Sequence, residues 1–513
     1  MSRASSTGSV SLRRLFPAAT FVGCSDIEVT SPTIDSRTLG LGQTFFAVRG
    51  AKHDGHLFLA EATCRGAASL VVERLQSGVT PPQCIVPDTR AAYGILCQAL
   101  QGNPASQLKV IGVTGTNGKT TTAILVRSVL EAAGHRVGLV GTVEQFDGIK
   151  SSPATLTTPG PDELARLMRS MVDAGCSHVV MEVSSHALQQ RRTAGIAFDT
   201  AVFTNLSQDH LDYHGDIEAY RAVKGRLFRE LGSNAGAVLN AEDATSQVYK
   251  AECSGQVTSY AIRTPADIAG GDIRPSLDGS RFRIWGRDGH YDIETPLLGE
   301  HNVYNCVAAA AVGHRYGIDR ATIQAGIERV REIPGRLQPV CCGQPFQVLV
   351  DYAHTPDAIR SVLKSLRAAT KGRTLILFGA GGDRDRTKRP AMAQVAEALA
   401  DMIVVTSDNP RTEDPQQIIR DILAGFRRAH ALAIEPDRRT AIALVLSLAR
   451  PGDCVVIAGK GHEAYQIVGD QRLPFDDRQV AAECLAKYVG KFQIGPGDGT
   501  EKRRSVPSQR DAA

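Results

Sequence analysis

The segment VIGVTGTNGKTTTAILV, residues 110–126, sets a strand, a glycine-rich turn and a helix in succession. In such a turn the backbone N–H groups of Gly115, Thr116, Asn117 and Gly118 converge on phosphate oxygens, and the helix N-terminus adds positive potential. Lys119 is placed to reach the terminal phosphates of a nucleotide and the Thr120 hydroxyl to ligate magnesium. The strict phosphate-loop spacing asks for glycine at position 113, where this chain has Val113 with Gly112 and Gly115 on either side. A turn that only packs a helix would need neither the lysine nor the threonine.

Three further residues could join this chemistry. Glu182 ends the apolar run HVVMEV, on the edge where an open α/β sheet holds its ligands. His210 lies in NLSQDHLDYHG and Lys224 in IEAYRAVKGRLF. Magnesium takes hard oxygen donors, which Thr120 and Glu182 supply. By residue chemistry alone His210 reads as a structural or hydrogen-bonding histidine and Lys224 as part of a solvated helix face.

The elements that must position these residues follow from the pattern of apolar runs. Short runs separated by glycine turns (TFFAV, ASLVVE, QCIVP) predict a small α/β unit ending near Gly102-Asn103-Pro104, over residues 1–104. A central unit, 105–335, begins with KVIGVT and a helix from Thr120 to about Ala133, closed by Gly134. Its later strands are HVVMEV and TAVFTN, and the segment 333–336 reads as the hinge to a third unit over 336–493. There QVLVDY, TLILFG, MIVVTS and CVVIAG alternate with helical stretches, which predicts a mostly parallel, doubly wound sheet. The tail 494–513 is polar and reads as disordered.

Composition bounds the function. With 513 residues, 42% hydrophobic and 22% charged, the chain is ordinary globular protein of several domains. A net charge of +4 without a basic stripe argues against nucleic acid as a partner. No apolar run approaches the ~18 residues that span a bilayer, and the N-terminus lacks the apolar core of a signal peptide, so a cytoplasmic protein without a membrane partner is expected. Eleven cysteines lie scattered without metal-ligand spacing, as in a reduced compartment.

The strings GTNGKTTT, MEVSSHAL, NLSQDHLDYHG, LLGEHNVYN, PGRLQ, DYAHTPDAI, GGDRDRTKRP, DNPRTEDP and GKGHEAYQ, in this order, resemble the Mur ligase family over about residues 30 to 470. The resemblance implies an α/β fold of three domains: one for a UDP-sugar, a central ATPase and a Rossmann-like third. It also implies a magnesium site of Thr120, Glu182, His210 and Lys224, the lysine carbamylated by carbon dioxide into an anion. A nucleotide site of Gly115 to Thr120, Asn302, Arg336 and Asp351 is implied with it. Positions matching the family's contacts to UDP-MurNAc-L-Ala-D-Glu are Ser36, Thr157, Thr158, Ser184, Gln190 and Arg192; some relatives carry asparagine where this chain has Leu156.

The chain looks most like the members that add meso-diaminopimelate. Their pattern is matched by Asp408, Asn409, Pro410 and Arg411, with Arg384, Gly459 and Glu463 completing the contacts. The guanidinium of Arg411 suits the second carboxylate of diaminopimelate, which lysine lacks, and Glu463 suits the distal ammonium. The expected reaction has Lys119, Glu182, His210 and Lys224 at its centre: ATP phosphorylates the γ-carboxylate of D-glutamate, and the amine displaces phosphate. The third domain is expected to close on the ATPase, and a monomer is expected. The rivals are a lysine-adding ligase, a folylpolyglutamate synthetase and a non-catalytic nucleotide switch. Arg411 opposes the first, DNPRTEDP and the extra N-terminal domain the second, and an intact metal site the third.

Overall fold

The structure is a computed structural model that describes residues 8–50, 53–287, 289–428 and 432–492; the tail 494–513 lies outside them. The chain divides into two compact units. The first runs up to Arg336 and takes in Thr355–Ala369 and Arg384–Lys388; the second holds Leu337–His354, Thr370–Asp383 and the chain from Arg389.

Within the first unit, the N-terminal sheet has five strands in the order Thr20–Val22, Gln83–Ile85, Ser69–Val72, Thr44–Phe46, Pro32–Thr33. Only Thr20–Val22 runs antiparallel to its neighbour. The second sheet has eleven strands. At its centre are β1 (Lys109–Thr114), β2 (Val137–Val140), β3 (His178–Glu182), β4 (Thr200–Phe203) and β5 (Gly236–Asn240), in the spatial order β2-β3-β1-β4-β5 and all parallel. Every residue of β2 to β5 is buried, as is all of β1 beyond Lys109, as helices on both faces of a parallel sheet require. Each fully buried valine or leucine there contributes about 1.5–3 kcal/mol. The chain leaves β1 toward β2 on one side and later returns to place β4 on the other. That reversal opens a crevice at the carboxyl ends of β1, β3 and β4, where ligands bind in such sheets. Antiparallel strands, Glu144–Phe146 and Ser151–Pro153 at one edge and Gly279–Gly286 and Gly289–Thr295 at the other, extend the mostly parallel sheet that the sequence predicts.

Two helices carry the chemistry. Helix α1 (Lys119–Ala132) starts at Gly118, whose φ of 86° is left-handed and which provides no side-chain cap. Its first-turn N–H groups therefore lack the side-chain acceptor that most helices have, which suits them to an anion. Helix α2 (Ile217–Arg229) is closed conventionally by Asp216, which accepts from Ala219 N. Its buried residues are Tyr220, Lys224, Gly225, Leu227 and Phe228, so the lysine shares one face with the large apolar side chains.

In the second unit the parallel strands β6 (Gln347–Asp351), β7 (Thr374–Phe378), β8 (Met402–Val405) and β9 (Cys454–Ala458) take the order β6-β9-β7-β8, the doubly wound arrangement expected. Two short strands not read from sequence, Gln338–Pro339 and Leu432–Ile434, flank β6 and β8. A hairpin of β10 (Tyr465–Val468) and β11 (Gln471–Pro474) follows β9. Among the described residues no helix is long and apolar enough to cross a membrane.

Candidate active site

Strand β1 delivers the chain into the phosphate loop at Gly115, whose φ is 149° and where a Cβ would stand 1.9 Å from Thr204 Oγ1. Thr204 and Asn205, just past β4, hold the loop from outside: Thr204 Oγ1 donates to Asn117 O at 2.6 Å and Asn117 N to Asn205 Oδ1 at 3.0 Å. Lys119 Nζ donates to the carbonyls of Gly115 and Thr116 at 2.9 and 2.8 Å. Burial lowers the pKa of this ammonium, with Arg336 acting in the same sense; the charges of Glu182 and Asp209 oppose them.

Glu182 is buried at the end of β3 and joins this loop to a second set of residues. Its Oε2 accepts from Thr120 Oγ1 at 3.0 Å and lies 2.9 Å from the Thr142 hydroxyl, while its Oε1 accepts from Thr142 N at 2.7 Å. Arg336 Nη2 donates to Thr120 Oγ1 at 3.2 Å. On the far side Thr142 Oγ1 is 3.1 Å from Thr157 Oγ1, and Thr158 Oγ1 donates to the Glu182 carbonyl at 2.8 Å. Ser184 N donates to Thr158 Oγ1 at 3.1 Å. Arg192 donates to Thr158 O at 2.7 Å and grips Gln190 Oε1 through Nε and Nη2 at 3.1 and 2.8 Å. Five of the six positions expected to meet the UDP-sugar peptide are thus linked through Glu182. Ser36 stands in a turn of the N-terminal sheet, donating to Glu61 Oε2 at 2.9 Å. Leu156 is half exposed and offers no polar group to the site.

Lys224 is 1% exposed, donates to Gly115 O at 2.8 Å and lies 4.6 Å over the Tyr220 ring. Burial, and next the charge of Lys119, depress its pKa well below the lysine range, against the pull of Asp209. His210 opens the helix Leu211–His214 in a left-handed conformation, φ 55°. Its ring meets His186 edge-on at 4.9 Å, and its Nε2 is 3.5 Å from Asp209 Oδ2. No three His, Cys, Asp or Glu side chains converge as a metal site among the described residues. The hard donors in contact are Thr120 and Glu182, and an ammonium or amine at Lys224 adds none. A carbamate there would, so the donor set fits magnesium once Lys224 is modified.

At the same N-terminal end of α1, Asn302 donates to Leu298 O at 2.7 Å and accepts from Asn305 Nδ2 at 3.0 Å; Asn305 Oδ1 in turn accepts from Thr122 Oγ1 at 3.1 Å. Asn302 is thereby tied to the helix that follows the phosphate loop.

The second unit holds Asp351 and most of the expected amino-acid contacts. Asp351, at the end of β6, accepts from Leu337 N and Ala353 N, both at 2.7 Å. Asp408 and Asn409 are buried just past β8. Arg411 takes φ 51°, its backbone pairs with Ile467 O (3.1 Å) and Gly469 N (2.7 Å), and its Nη1 donates to Gly382 O at 2.7 Å. Arg389, fully buried, pairs with Glu413 and Asp421 and donates to Gly381 O at 3.1 Å, which fastens the loop after β7 to that carrying Arg411. Past β9, Gly459 has φ 119°, and a Cβ on it would stand 2.5 Å from Asp408 Oδ2. Glu463 accepts from Asn409 Nδ2 at 2.8 Å. Arg384 lies in the segment 384–388 of the first unit.

The model for the Mur ligase middle domain matches residues 113–313, and that for the Mur ligase, glutamate ligase domain matches 335–461. A protein of Geobacillus thermodenitrificans (strain NG80-2) named UDP-N-acetylmuramoyl-L-alanyl-D-glutamate--2,6-diaminopimelate ligase is 47% identical over 89% of this chain and 95% of its own length. The chain belongs to the Mur ligase family. Another Mur ligase, of Geobacillus kaustophilus (strain HTA426) and with the same name, is 46% identical over 89% of this chain and 95% of its own. A solved structure of a ligase of that name superposes with a TM-score of 0.66 at 33% identity, covering 94% of this chain and 99% of the other. As members of this family are, the protein is an ATP-dependent ligase with the mixed α/β fold the sequence predicts.

Several residues of this Mur ligase site were not singled out from sequence. Thr142 holds both carboxylate oxygens of Glu182, the charge of Asp209 raises the pKa of both Lys119 and Lys224, and Asn305 joins Asn302 to α1. Thr142 follows VGLV, so the strand-edge rule that finds Glu182 also reaches it. Asp209 and Asn305 lie inside quoted motifs, but nothing in their spacing shows what they face.

Proposed function

We propose that this chain adds meso-diaminopimelate to the D-glutamate γ-carboxylate of UDP-MurNAc-L-Ala-D-Glu, forming ADP, phosphate and the UDP-MurNAc-tripeptide of peptidoglycan synthesis. The relatives' names support the substrates. The observation that carries the chemistry is the position of Glu182, hydrogen-bonded to phosphate-loop Thr120 and, through Thr142, to Thr157. A carboxylate substrate held by Thr157, Thr158, Ser184, Gln190 and Arg192 would lie beside the terminal phosphate of ATP held by Gly115 to Thr120. Asn302, Arg336 and Asp351 complete the nucleotide contacts, and Ser36 belongs to the UDP-sugar end.

A γ-carboxylate oxygen attacks the γ-phosphorus, ADP leaves, and an acyl phosphate forms. The free amine of diaminopimelate then attacks the acyl carbon; phosphate departs with the bonding pair of the C–O bond, and the nitrogen loses a proton. Lys119 carries the positive charge that faces the phosphoryl oxygens, and the phosphate-loop N–H groups fix them without reorganisation. Thr120, Glu182, a carbamate on Lys224 and His210 would hold magnesium, which would supply further neutralising charge there. Arg411, with Asp408, Asn409, Pro410, Arg384, Gly459 and Glu463, selects the amino acid. The reading includes a three-domain division at 104 and 335 and action as a cytoplasmic monomer on soluble precursors.

The test is phosphate release with each substrate left out in turn. Release that needs ATP, the UDP-MurNAc-dipeptide and meso-diaminopimelate together, with one diaminopimelate residue added to the product mass, is expected. ATP turnover indifferent to the dipeptide would leave only a nucleotide switch.

A further inference from the structure

The amino-acid end of the site contains a cation to which neither the motifs nor the proposed reaction gives a role. Lys460, in the loop after β9, has a fully buried side chain. An ammonium taken out of water costs several kcal/mol unless hydrogen bonds and opposite charge offset the loss. Lys460 Nζ finds Asn409 Oδ1 at 3.1 Å and Glu463 Oε2 at 3.2 Å, and it lies 5.5 Å from the centre of the Tyr465 ring.

The atoms left over are as informative as those engaged. Asn409 Nδ2 also donates to Glu463 Oε2, at 2.8 Å, so both donors crowd one oxygen and Glu463 Oε1 receives none from the described residues. Asp408 repeats the pattern: Oδ1 accepts from Asn409 N at 2.7 Å, while the buried Oδ2 has no donor among the described residues. Gly459 keeps the space before Oδ2 open, since a Cβ there would come within 2.5 Å. Charge accounts for the rest. Arg438 is matched by Asp477 in a fully buried two-pronged pair, Nε–Oδ1 2.8 Å and Nη2–Oδ2 2.7 Å. It also donates to Ser407 O and Ala458 O, bracing the ends of β8 and β9. With Arg438 bonded to Asp477, Lys460 is the cation that hydrogen-bonds Glu463, and neither it nor any other described residue donates to Asp408 Oδ2.

We infer that Lys460 is a positioning residue for amino-acid selection: it holds Glu463 and Asn409 so that Glu463 Oε1 and Asp408 Oδ2 are left to receive a single ammonium, the distal one of the incoming diamino acid. The inference rests on the diaminopimelate reading and adds to it the residue that turns the carboxylates toward the ligand. The nearby positive charges of Lys460 and Arg438 hold the Asp408 carboxyl below the usual carboxylate range despite its burial, so the second acceptor is ionised near neutral pH.

Lys460→Met keeps the stem and removes the charge. Its KM for meso-diaminopimelate is expected to rise about thirtyfold or more, as for removal of one partner of a buried charge pair. The KM values for ATP and the UDP-MurNAc-dipeptide should stay within about twofold, which a merely structural lesion would not spare. The preference for diaminopimelate over 2-aminopimelate, which lacks only the distal amine, should collapse with it. Because Lys460→Met strands two carboxylates and could unfold, Lys460→Met/Glu463→Gln is compared with Glu463→Gln alone. The two should have KM values for diaminopimelate within about threefold, since the lysine acts through Glu463. An unchanged amine preference in Lys460→Met, equal shifts in all three KM values, or a further large loss in the double variant overturns the inference. A wild-type enzyme that does not use diaminopimelate overturns the reading beneath it as well, and so separates the two failures.

Discussion

Replacing Lys224 by alanine is expected to lower kcat roughly a thousandfold, the scale seen when one preorganised charge-stabilising group is removed from a transferring centre. Melting should remain cooperative, because alanine relieves a buried amine of its desolvation. The size of the effect follows from the position. Lys224 sits on the buried stripe of α2, 1% exposed, with Gly115 O as its hydrogen-bond acceptor and the charge of Lys119 nearby. Burial shifts such a group toward the unprotonated amine, and an unprotonated amine is the form that adds carbon dioxide. Lys224→Arg keeps a cation that cannot be carbamylated, and it should be as inactive as Lys224→Ala. Formate or acetate at high concentration should restore part of the activity of the alanine variant only, by returning a carboxylate to the vacated space. Phosphate-release kinetics on the three proteins, with labelled bicarbonate to mark the carbamate in the wild type, decide the matter. Full activity in either variant would remove the carbamate from the mechanism.

Arg411→Ala carries the second large expectation: kcat/KM for meso-diaminopimelate falls roughly a hundredfold, as expected when a hydrogen-bonded charge pair of about 3 kcal/mol is truncated. The figure for lysine, which has no second carboxylate, changes by less than about threefold. Selectivity rather than overall competence is lost. Stability should hardly move. The residue is already in the left-handed region at φ 51°, fixed by backbone bonds to Ile467 and Gly469, and alanine bears the same strain there as arginine. Competition between the two amino acids in one assay, read by product mass, measures this directly. An intact preference in the variant would assign selection to other residues.

Much of the frame could be read before any coordinates, for definite reasons. The strands β6 to β9 are continuous apolar runs because both sheet faces are covered, and the phosphate loop is local in sequence. The antiparallel strands between 268 and 295 escaped because half of their residues face solvent and alternate weakly. Lys224 is the instructive case. Judged as one lysine on a polar helix it reads as solvated, yet Tyr220, Leu227 and Phe228 place it on the apolar stripe, a signal present in the spacing. Lys460, Arg389 and Arg438 carried no such signal. Arg389 and Arg438 are buried against Glu413 and Asp477, distant in the chain, and Lys460 against Asn409 from the segment past β8 as well as the nearby Glu463, so each arrangement forms only when separate segments meet. Sequence periodicity reports which face of an element is buried; it does not report which distant charge makes that burial tolerable.

The claim that this site splits ATP to activate a carboxylate is tested most directly by the fate of a heavy-oxygen label. The γ-carboxylate of the UDP-MurNAc-dipeptide is enriched in the heavy isotope, and the phosphate released during turnover with meso-diaminopimelate is examined by mass. Attack of the carboxylate on the γ-phosphorus predicts one labelled oxygen in every phosphate derived from fully labelled dipeptide. Unlabelled phosphate alongside normal tripeptide formation would contradict it.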